Sequence, residues 1–150
     1  MRRAIEVSGA HMRAGLGGPF GAIVVRGHEI VAEGSNRVTS STDPTAHAEI
    51  VAIREACRHI GSFNLAGCEL YSSCEPCPMC LGAIYWARLD RVYYANTRAD
   101  AAIIGFDDDH IYREFDKPID GRAVPFIRLG STEARQIFQE WLEKPDKIPY

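Results

Sequence analysis

Two short runs of the chain contain residues of the types that bind a transition metal. Residues 45–49 include His47, and residues 76–80 include Cys77 and Cys80. One imidazole and two thiolates are ligands that suit Zn²⁺. Because the two cysteines are three positions apart, both sulfur atoms would lie on one side of a helix that starts there. Three protein ligands leave the fourth tetrahedral position to water, which is typical of a catalytic zinc site.

Glu49 follows the histidine by two residues, so its carboxylate can reach a metal-bound water without binding the metal. Zinc lowers the pKa of bound water from about 15.7 to about 7, and a carboxyl group beside it can take up and later release the proton. His-x-Glu followed by Pro-Cys-x-x-Cys is the signature of zinc-dependent nucleobase deaminases. Two alternatives stay open. Cys74 is also three residues from Cys77 and could replace Cys80, and the metal could belong to a catalytically silent structural module.

The composition is that of one globular domain and argues against nucleic acid as a partner. The 150 residues are 46% hydrophobic and 25% charged, and the net charge is −3. A protein that binds a phosphate backbone is normally basic. No apolar run approaches the about 20 residues of a membrane span, and three of the five cysteines lie between residues 74 and 80. We therefore expect a cytoplasmic protein with no membrane partner.

The periodicity of apolar residues predicts an α/β fold with a mixed five-stranded sheet covered by helices. Proline and glycine mark most of the boundaries, and Asp43-Pro44 reads as a helix start. A short strand–helix–strand unit around the cysteines predicts one parallel strand pair. The predicted helices are 2–14, 44–58, 78–88 and 131–143, and the predicted strands are 20–25, 29–32, 70–73, 91–95 and 124–129.

The two runs and their surroundings resemble a known superfamily. Asn36, residues 43–49 and residues 73–80 match the motifs of the cytidine deaminase-like zinc-dependent deaminases. Within that superfamily the whole chain resembles the small bacterial guanine deaminases. The runs that carry this narrower resemblance are residues 18–22, 80–88, 105–108 and 111–112, together with the terminal Tyr150.

The resemblance implies the fold, the cofactor and the roles of the metal-binding residues. It implies a single domain over residues 1–150, with a sheet between helices in a three-layer α/β/α arrangement. His47, Cys77 and Cys80 match the ligands of the Zn²⁺ cofactor, and Glu49 matches the catalytic proton shuttle.

Four further residues match positions that bind the base in the family. Asn36 matches a residue that hydrogen-bonds the purine, and Phe20 matches an aromatic residue that packs on it. Asp108 matches the acidic residue associated with guanine recognition. Tyr150 matches a terminal tyrosine that enters the partner's active site in a domain-swapped homodimer. The segment that would be swapped covers residues from about 130 to 150.

The implied reaction is hydrolytic deamination of guanine to xanthine and ammonia, in which metal-bound hydroxide attacks C2 and Glu49 shuttles the proton. Guanine offers N1–H and a 2-amino group as donors, which suits the Asp108 carboxylate, while Asn36 can both donate and accept at the other edge. Asp107 is a neighbouring alternative to Asp108. Two other substrates remain open, adenosine in tRNA and a related aminated ring such as an aminotriazine.

Overall fold

The computed structural model describes residues 1–106 and 108–150. The chain divides into two compact units, residues 1–109 and 110–150. Among the described residues, none of the helices combines the length and the apolar character that crossing a membrane requires.

The described residues of the first unit form a four-stranded sheet and five helices. Its strands are β1 (Gly21–Arg26), β2 (Glu29–Ser35), β3 (Cys68–Cys74) and β4 (Arg91–Asn96). Its helices are α1 (Arg2–Arg13), α2 (Val38–Ser41), α3 (Ala48–Ile60), α4 (Pro78–Trp86) and α5 (Arg98–Ile103). The strand order is β2-β1-β3-β4. The β1 strand pairs antiparallel with β2 and β3, while β3 and β4 are parallel. The predicted hairpin and the predicted parallel pair are both confirmed.

Helices cover both faces of this sheet. On one face α1 packs its Ala4 and Val7 against Ile23 of β1. On the other face α3 and α4 form the main core with the sheet, in which Val24 and Leu70 are fully buried. Burying these apolar side chains is the main driving force for the layered arrangement.

Gly34 sets how closely α3 approaches the sheet. A Cβ atom at this position would lie 2.1 Å from the backbone oxygen of Ala48, the first residue of α3. Only glycine permits such an approach of two backbones. The N-terminus of α3, and with it His47, is therefore held against the end of β2.

The sheet has four strands, so the predicted fifth strand at residues 124–129 is wrong. These residues have no regular secondary structure, and the side chains of Val124, Phe126, Ile127 and Leu129 are all exposed. Pro125 has no N–H to donate to a strand ladder. The described residues of the second unit also contain no other strand with which this segment could pair.

The start of α3 and the end of α4 are among the helix boundaries that differ from the sequence prediction. The α3 helix begins at Ala48 and not at Pro44, because the Asp43 carboxylate accepts hydrogen bonds from the backbone N–H and the hydroxyl of Thr45, at 2.8 and 2.7 Å. That local turn competes with helix formation. The α4 helix ends at Trp86, two residues early, and Arg88 has a positive φ of 60°, which a helix does not allow.

The second unit consists of helices and irregular segments. It contains most of α6 (Asp109–Phe115), a single 3₁₀ turn at Ile119–Gly121 and α7 (Ser131–Glu143). None of the α7 residues is buried. The apolar face of this amphipathic helix is exposed; it comprises Ile137, Phe138, Trp141 and Leu142.

Candidate active site

The three predicted metal ligands meet where two helices begin. His47 is the N-cap residue of α3 and Cys77 is the N-cap residue of α4, with Cys80 in the first turn of α4. Neither N-cap side chain bonds the backbone of its helix, so both remain directed at the site. The Nδ1 atom of His47 lies 3.5 Å from the sulfur of Cys77 and 3.6 Å from the sulfur of Cys80.

This group fits a zinc ion. The ligand atoms of His47, Cys77 and Cys80 all lie within 4.8 Å of one another. In a tetrahedral site with Zn–S near 2.3 Å and Zn–N near 2.0 Å, each sulfur would lie about 3.5 Å from the nitrogen. The observed distances between nitrogen and sulfur agree with that value. One imidazole and two thiols are also the donor types that zinc prefers.

The environment of the cysteines favours thiolate at Cys77 and thiol at Cys74. Hydrogen bonds that the Cys77 sulfur accepts from Cys80 and from His47 lower the pKa of Cys77 to about 4. Burial raises the pKa of Cys74 to about 11, and its sulfur lies 3.6 Å from the backbone oxygen of Thr97. The pKa of Cys80 is raised as well, by its hydrogen bond to Cys77 and by burial, so the pKa values do not separate the two possible pairs. The geometry does: the Cys80 sulfur lies 3.6 Å from the His47 Nδ1 atom and belongs to the group of possible ligands found among the described residues, whereas Cys74 does not.

Glu49 lies beside the metal-binding group and is buried. Its side chain is 6% exposed, although the residue is charged by type. One carboxylate oxygen accepts a hydrogen bond from the Ser72 hydroxyl at 3.0 Å, and the other lies 3.5 Å from the Cys80 sulfur. Burial raises the pKa of the Glu49 carboxyl. A buried carboxyl with a raised pKa can both take up and release a proton near neutrality.

A cavity of about 380 Å³ opens above this group. Its size is that of a site for a small molecule. All of its lining residues belong to the first unit. Every predicted site residue of that unit except Cys80, which is fully buried, lines the cavity; these residues are Phe20, Asn36, His47, Glu49, Cys77 and Asp108.

Asn36 is held in one orientation. Its side-chain oxygen accepts hydrogen bonds from the backbone N–H groups of Gly18 and Val38, both at 3.3 Å. Backbone N–H groups can only donate, so the oxygen and the nitrogen of this amide cannot exchange places. The NH₂ group is therefore the part of the Asn36 side chain that is left to donate.

The structure also shows cavity residues that the sequence analysis did not single out. The ring of Phe106 meets the ring of Phe20 edge to face, with centroids 4.8 Å apart, and both rings line the cavity. Arg98 lines it as well. Ser72, which donates a hydrogen bond to Glu49, is a buried polar residue in β3, the strand that leads to the cysteines. A serine at that position in the strand is the sequence signal that could have identified it.

Asp107, the alternative to Asp108, lies outside the described residues, and Asp108 lines the cavity. Tyr150 belongs to the second unit, and its side chain is 75% exposed.

Comparison with known proteins gives consistent matches. The model of the cytidine and deoxycytidylate deaminase zinc-binding region matches residues 1–96. Guanine deaminase from Bacillus subtilis is 52% identical over 150 residues, which are 100% of this chain and 96% of that protein. The X-ray structure of guanine deaminase from Bacillus subtilis has a TM-score of 0.97, covering 99% of this chain and 95% of that chain at 52% identity. The tRNA-specific adenosine deaminase of Aquifex aeolicus is 35% identical over 127 residues, 84% of this chain and 81% of that protein.

The mixed open sheet between helices and the His/Cys/Cys group define a zinc-dependent hydrolytic deaminase. The matched region contains the three candidate ligands, Glu49 and Asn36, and it ends before Asp108. The chain belongs to the cytidine and deoxycytidylate deaminase zinc-binding family. The resemblance to bacterial guanine deaminases that the sequence motifs carry is confirmed.

Proposed function

We propose that this chain catalyses the hydrolytic deamination of guanine to xanthine and ammonia. The observation that carries the proposal is a cavity that offers a hydrogen-bond acceptor at one lining residue and a donor at another. The cavity lies beside a buried glutamate and a His/Cys/Cys group. Asp108 offers an acceptor and Asn36 offers a donor. The full-length similarity to a guanine deaminase supports the same substrate.

The polarity of the cavity is complementary to guanine. The N1–H and 2-amino groups of guanine are donors and match a carboxylate such as Asp108. The carbonyl oxygen and the ring nitrogens of guanine are acceptors and match the NH₂ group of Asn36. The rings of Phe20 and Phe106 supply an aromatic wall for a flat base. Adenine has no N1–H, so it would offer the half-buried Asp108 carboxylate no donor at that position, and such mismatches discriminate by about 10⁴-fold.

The residues of the chain divide the chemistry between them. A Zn²⁺ ion held by His47, Cys77 and Cys80 would supply Lewis-acid activation of water at neutral pH. Glu49 takes the proton from the attacking water as the C–O bond forms at C2, and it delivers that proton to N3. The same carboxylate then takes the second proton, from the new hydroxyl group on C2, and passes it to the departing amino group; the C–N bond breaks, ammonia leaves and the C2 carbonyl of xanthine forms. Ser72 holds the carboxylate in place during both transfers.

A panel of substrates tests the proposal. Zinc-loaded protein is incubated with guanine, adenine, cytosine, an aminotriazine and tRNA that contains adenosine at the wobble position, and ammonia release is followed. We expect guanine to give the highest kcat/KM, by about 10⁴-fold over adenine. Release of ammonia from the tRNA but not from guanine would show that the substrate is the one named for the Aquifex relative.

We also propose that the active form is a homodimer in which the segment from about residue 130 to 150 is exchanged. Two exposed apolar surfaces support this. The apolar face of α7 is exposed throughout, although helices of this pattern normally bury that face. The α4 helix contains no charged residue, yet Tyr85 and Trp86 are 70% and 62% exposed. A second copy of the chain would cover both, and we infer that its Tyr150 completes the cavity.

Deleting Tyr150 is expected to lower kcat/KM for guanine by about tenfold or more, because the cavity loses one wall and one hydrogen-bonding group. Zinc content, measured by atomic emission, should not change. Lys147→Ala is the matched control in the same segment. A wild-type rate in the deletion variant would show that Tyr150 is not part of the active site.

Complementation decides whether the tyrosine comes from the second copy. The Tyr150 deletion supplies an intact Glu49, and Glu49→Gln supplies an intact Tyr150. When the two impaired variants are unfolded together and refolded, roughly half of the dimers are mixed, and each mixed dimer contains one complete site. About a quarter of the wild-type activity should return. No recovery, with mixed dimers confirmed by native mass spectrometry, would exclude the exchange.

A cytoplasmic location belongs to the same proposal. All five cysteines are free thiols, which suits a reducing compartment and a metal site that depends on thiolates.

A further inference from the structure

Gly17 allows an unusually close approach to Asn36. A Cβ atom on Gly17 would lie 2.0 Å from the backbone oxygen of Asn36, 2.8 Å from its carbonyl carbon and 3.1 Å from its side-chain oxygen. The first two distances are shorter than any real carbon contact. The φ of Gly17 is not in the left-handed region, so the reason for glycine here is space and not backbone conformation.

This approach places the next residue against the Asn36 amide. The backbone N–H of Gly18 donates to the side-chain oxygen of Asn36 from one side, and the N–H of Val38 donates from the other. The loop is further tied down by a hydrogen bond from the Leu16 N–H to the oxygen of His11. Behind it, the Asn36 N–H donates to the oxygen of Phe20 at 3.0 Å. The loop therefore acts as one arm of a clamp on the Asn36 side chain.

We propose that Gly17 is a positioning residue for base recognition. The inference rests on the proposed function, in which Asn36 donates to the base. The absence of a side chain on Gly17 lets the loop reach Asn36, and the two N–H groups then fix the amide with its NH₂ group available to the cavity. A larger residue pushes the loop away, and the amide loses one of its two restraints. The Asn36 NH₂ group is then no longer fixed toward the base, and the site loses its preference for a base with an acceptor atom beside Asn36.

Gly17→Ala tests the proposal. Gly9→Ala is the matched control, because a Cβ atom there meets only the flexible end of the Arg13 side chain. We expect Gly17→Ala to raise KM for guanine about tenfold or more, with a much smaller change in kcat and an unchanged zinc content. Gly9→Ala should leave both constants at wild-type values. A Gly17→Ala protein with the wild-type KM, or with a loss confined to kcat, would overturn the proposal.

A second measurement needs no substrate and no activity. The backbone N–H groups of Gly18 and Val38 both donate to the side-chain oxygen of Asn36. Hydrogen exchange followed by NMR should therefore show protected amides at both residues in the wild type. Asn36→Ala removes the acceptor, and the protection should fall at both positions even if Gly17→Ala does not fold. Amides that exchange freely in the wild type would overturn the clamp.

The two proposals fail in different ways. A wild-type protein that shows the protected amides but does not deaminate guanine would contradict the proposed function and leave the clamp in place. A protein that deaminates guanine with unprotected amides would do the reverse.

Discussion

Replacing Glu49 by glutamine is expected to lower kcat for guanine by about 10²–10⁴-fold, the range that a general acid–base residue contributes. Glutamine has nearly the same shape, and its carbonyl oxygen can still accept the hydrogen bond from Ser72. Its amide cannot take up the proton of the attacking water or pass it to the base. The reaction loses both transfers from one substitution, because a single carboxyl performs them in turn.

The expected loss is separable from loss of the metal or of the fold. Glu49 is not one of the three residues of the metal-binding group, so the zinc content of the variant should equal that of the wild type. The free energy of unfolding should not fall, since the substitution removes an ionisable group from a buried position. Glu55→Gln is the matched control, because Glu55 lies on the same helix but does not line the cavity and pairs with Arg58. Zinc-loaded Glu49→Gln with wild-type turnover would refute the shuttle role.

Replacing Asn36 by aspartate is expected to lower kcat/KM for guanine by about 10⁴-fold. One carboxylate oxygen can still accept from the N–H groups of Gly18 and Val38, so the local fold should be preserved. The other oxygen replaces the NH₂ group and meets an acceptor of the base with a second acceptor. Asp108 also lines the cavity, so the substitution places two negative charges around one neutral ligand.

Asn64→Asp provides the control for this charge reversal. The Asn64 side-chain oxygen also accepts from a backbone N–H, that of Ala66, at 2.9 Å, but the residue is exposed and does not line the cavity. Its variant should keep the wild-type constants. If Asn36→Asp retains kcat/KM within a few fold, Asn36 does not donate to the base, and the complementarity argument for guanine loses one of its two supports.

The metal-binding group could be predicted from the sequence because its signal is local. Cys77 and Cys80 are three residues apart at a helix start, and the prolines at 76 and 78 mark that start. The hairpin and the parallel strand pair are also encoded over short stretches. The start of α3 was predicted four residues too early. Aspartate is a common N-cap residue, but the Asp43 side chain forms a turn with Thr45, and that turn competes with a helix starting there.

The rest of the candidate site could not be predicted, because it depends on contacts between residues that are far apart in the sequence. The orientation of the Asn36 amide follows from the approach of residues 17 and 18, and the aromatic wall pairs Phe20 with Phe106. No periodicity in the sequence reports such contacts. The fifth strand was predicted from the β-branched and aromatic residues at 124–129, but a strand exists only where a neighbour can accept and donate its hydrogen bonds.

The position of two metal-binding residues at helix N-termini ties folding to metal supply. The N-cap positions of α3 and α4 carry His47 and Cys77, whose side chains do not cap. Serine, threonine or aspartate at an N-cap position stabilises a helix by about 1 kcal/mol, and the chain forgoes this twice. A metal that binds only the folded state returns the stability by mass action, about 2.7 kcal/mol at a free concentration one hundred times its Kd. The fraction of folded chain would therefore rise and fall with the zinc concentration of its surroundings. At low zinc concentration the enzyme would lose its activity and a larger fraction of it would unfold.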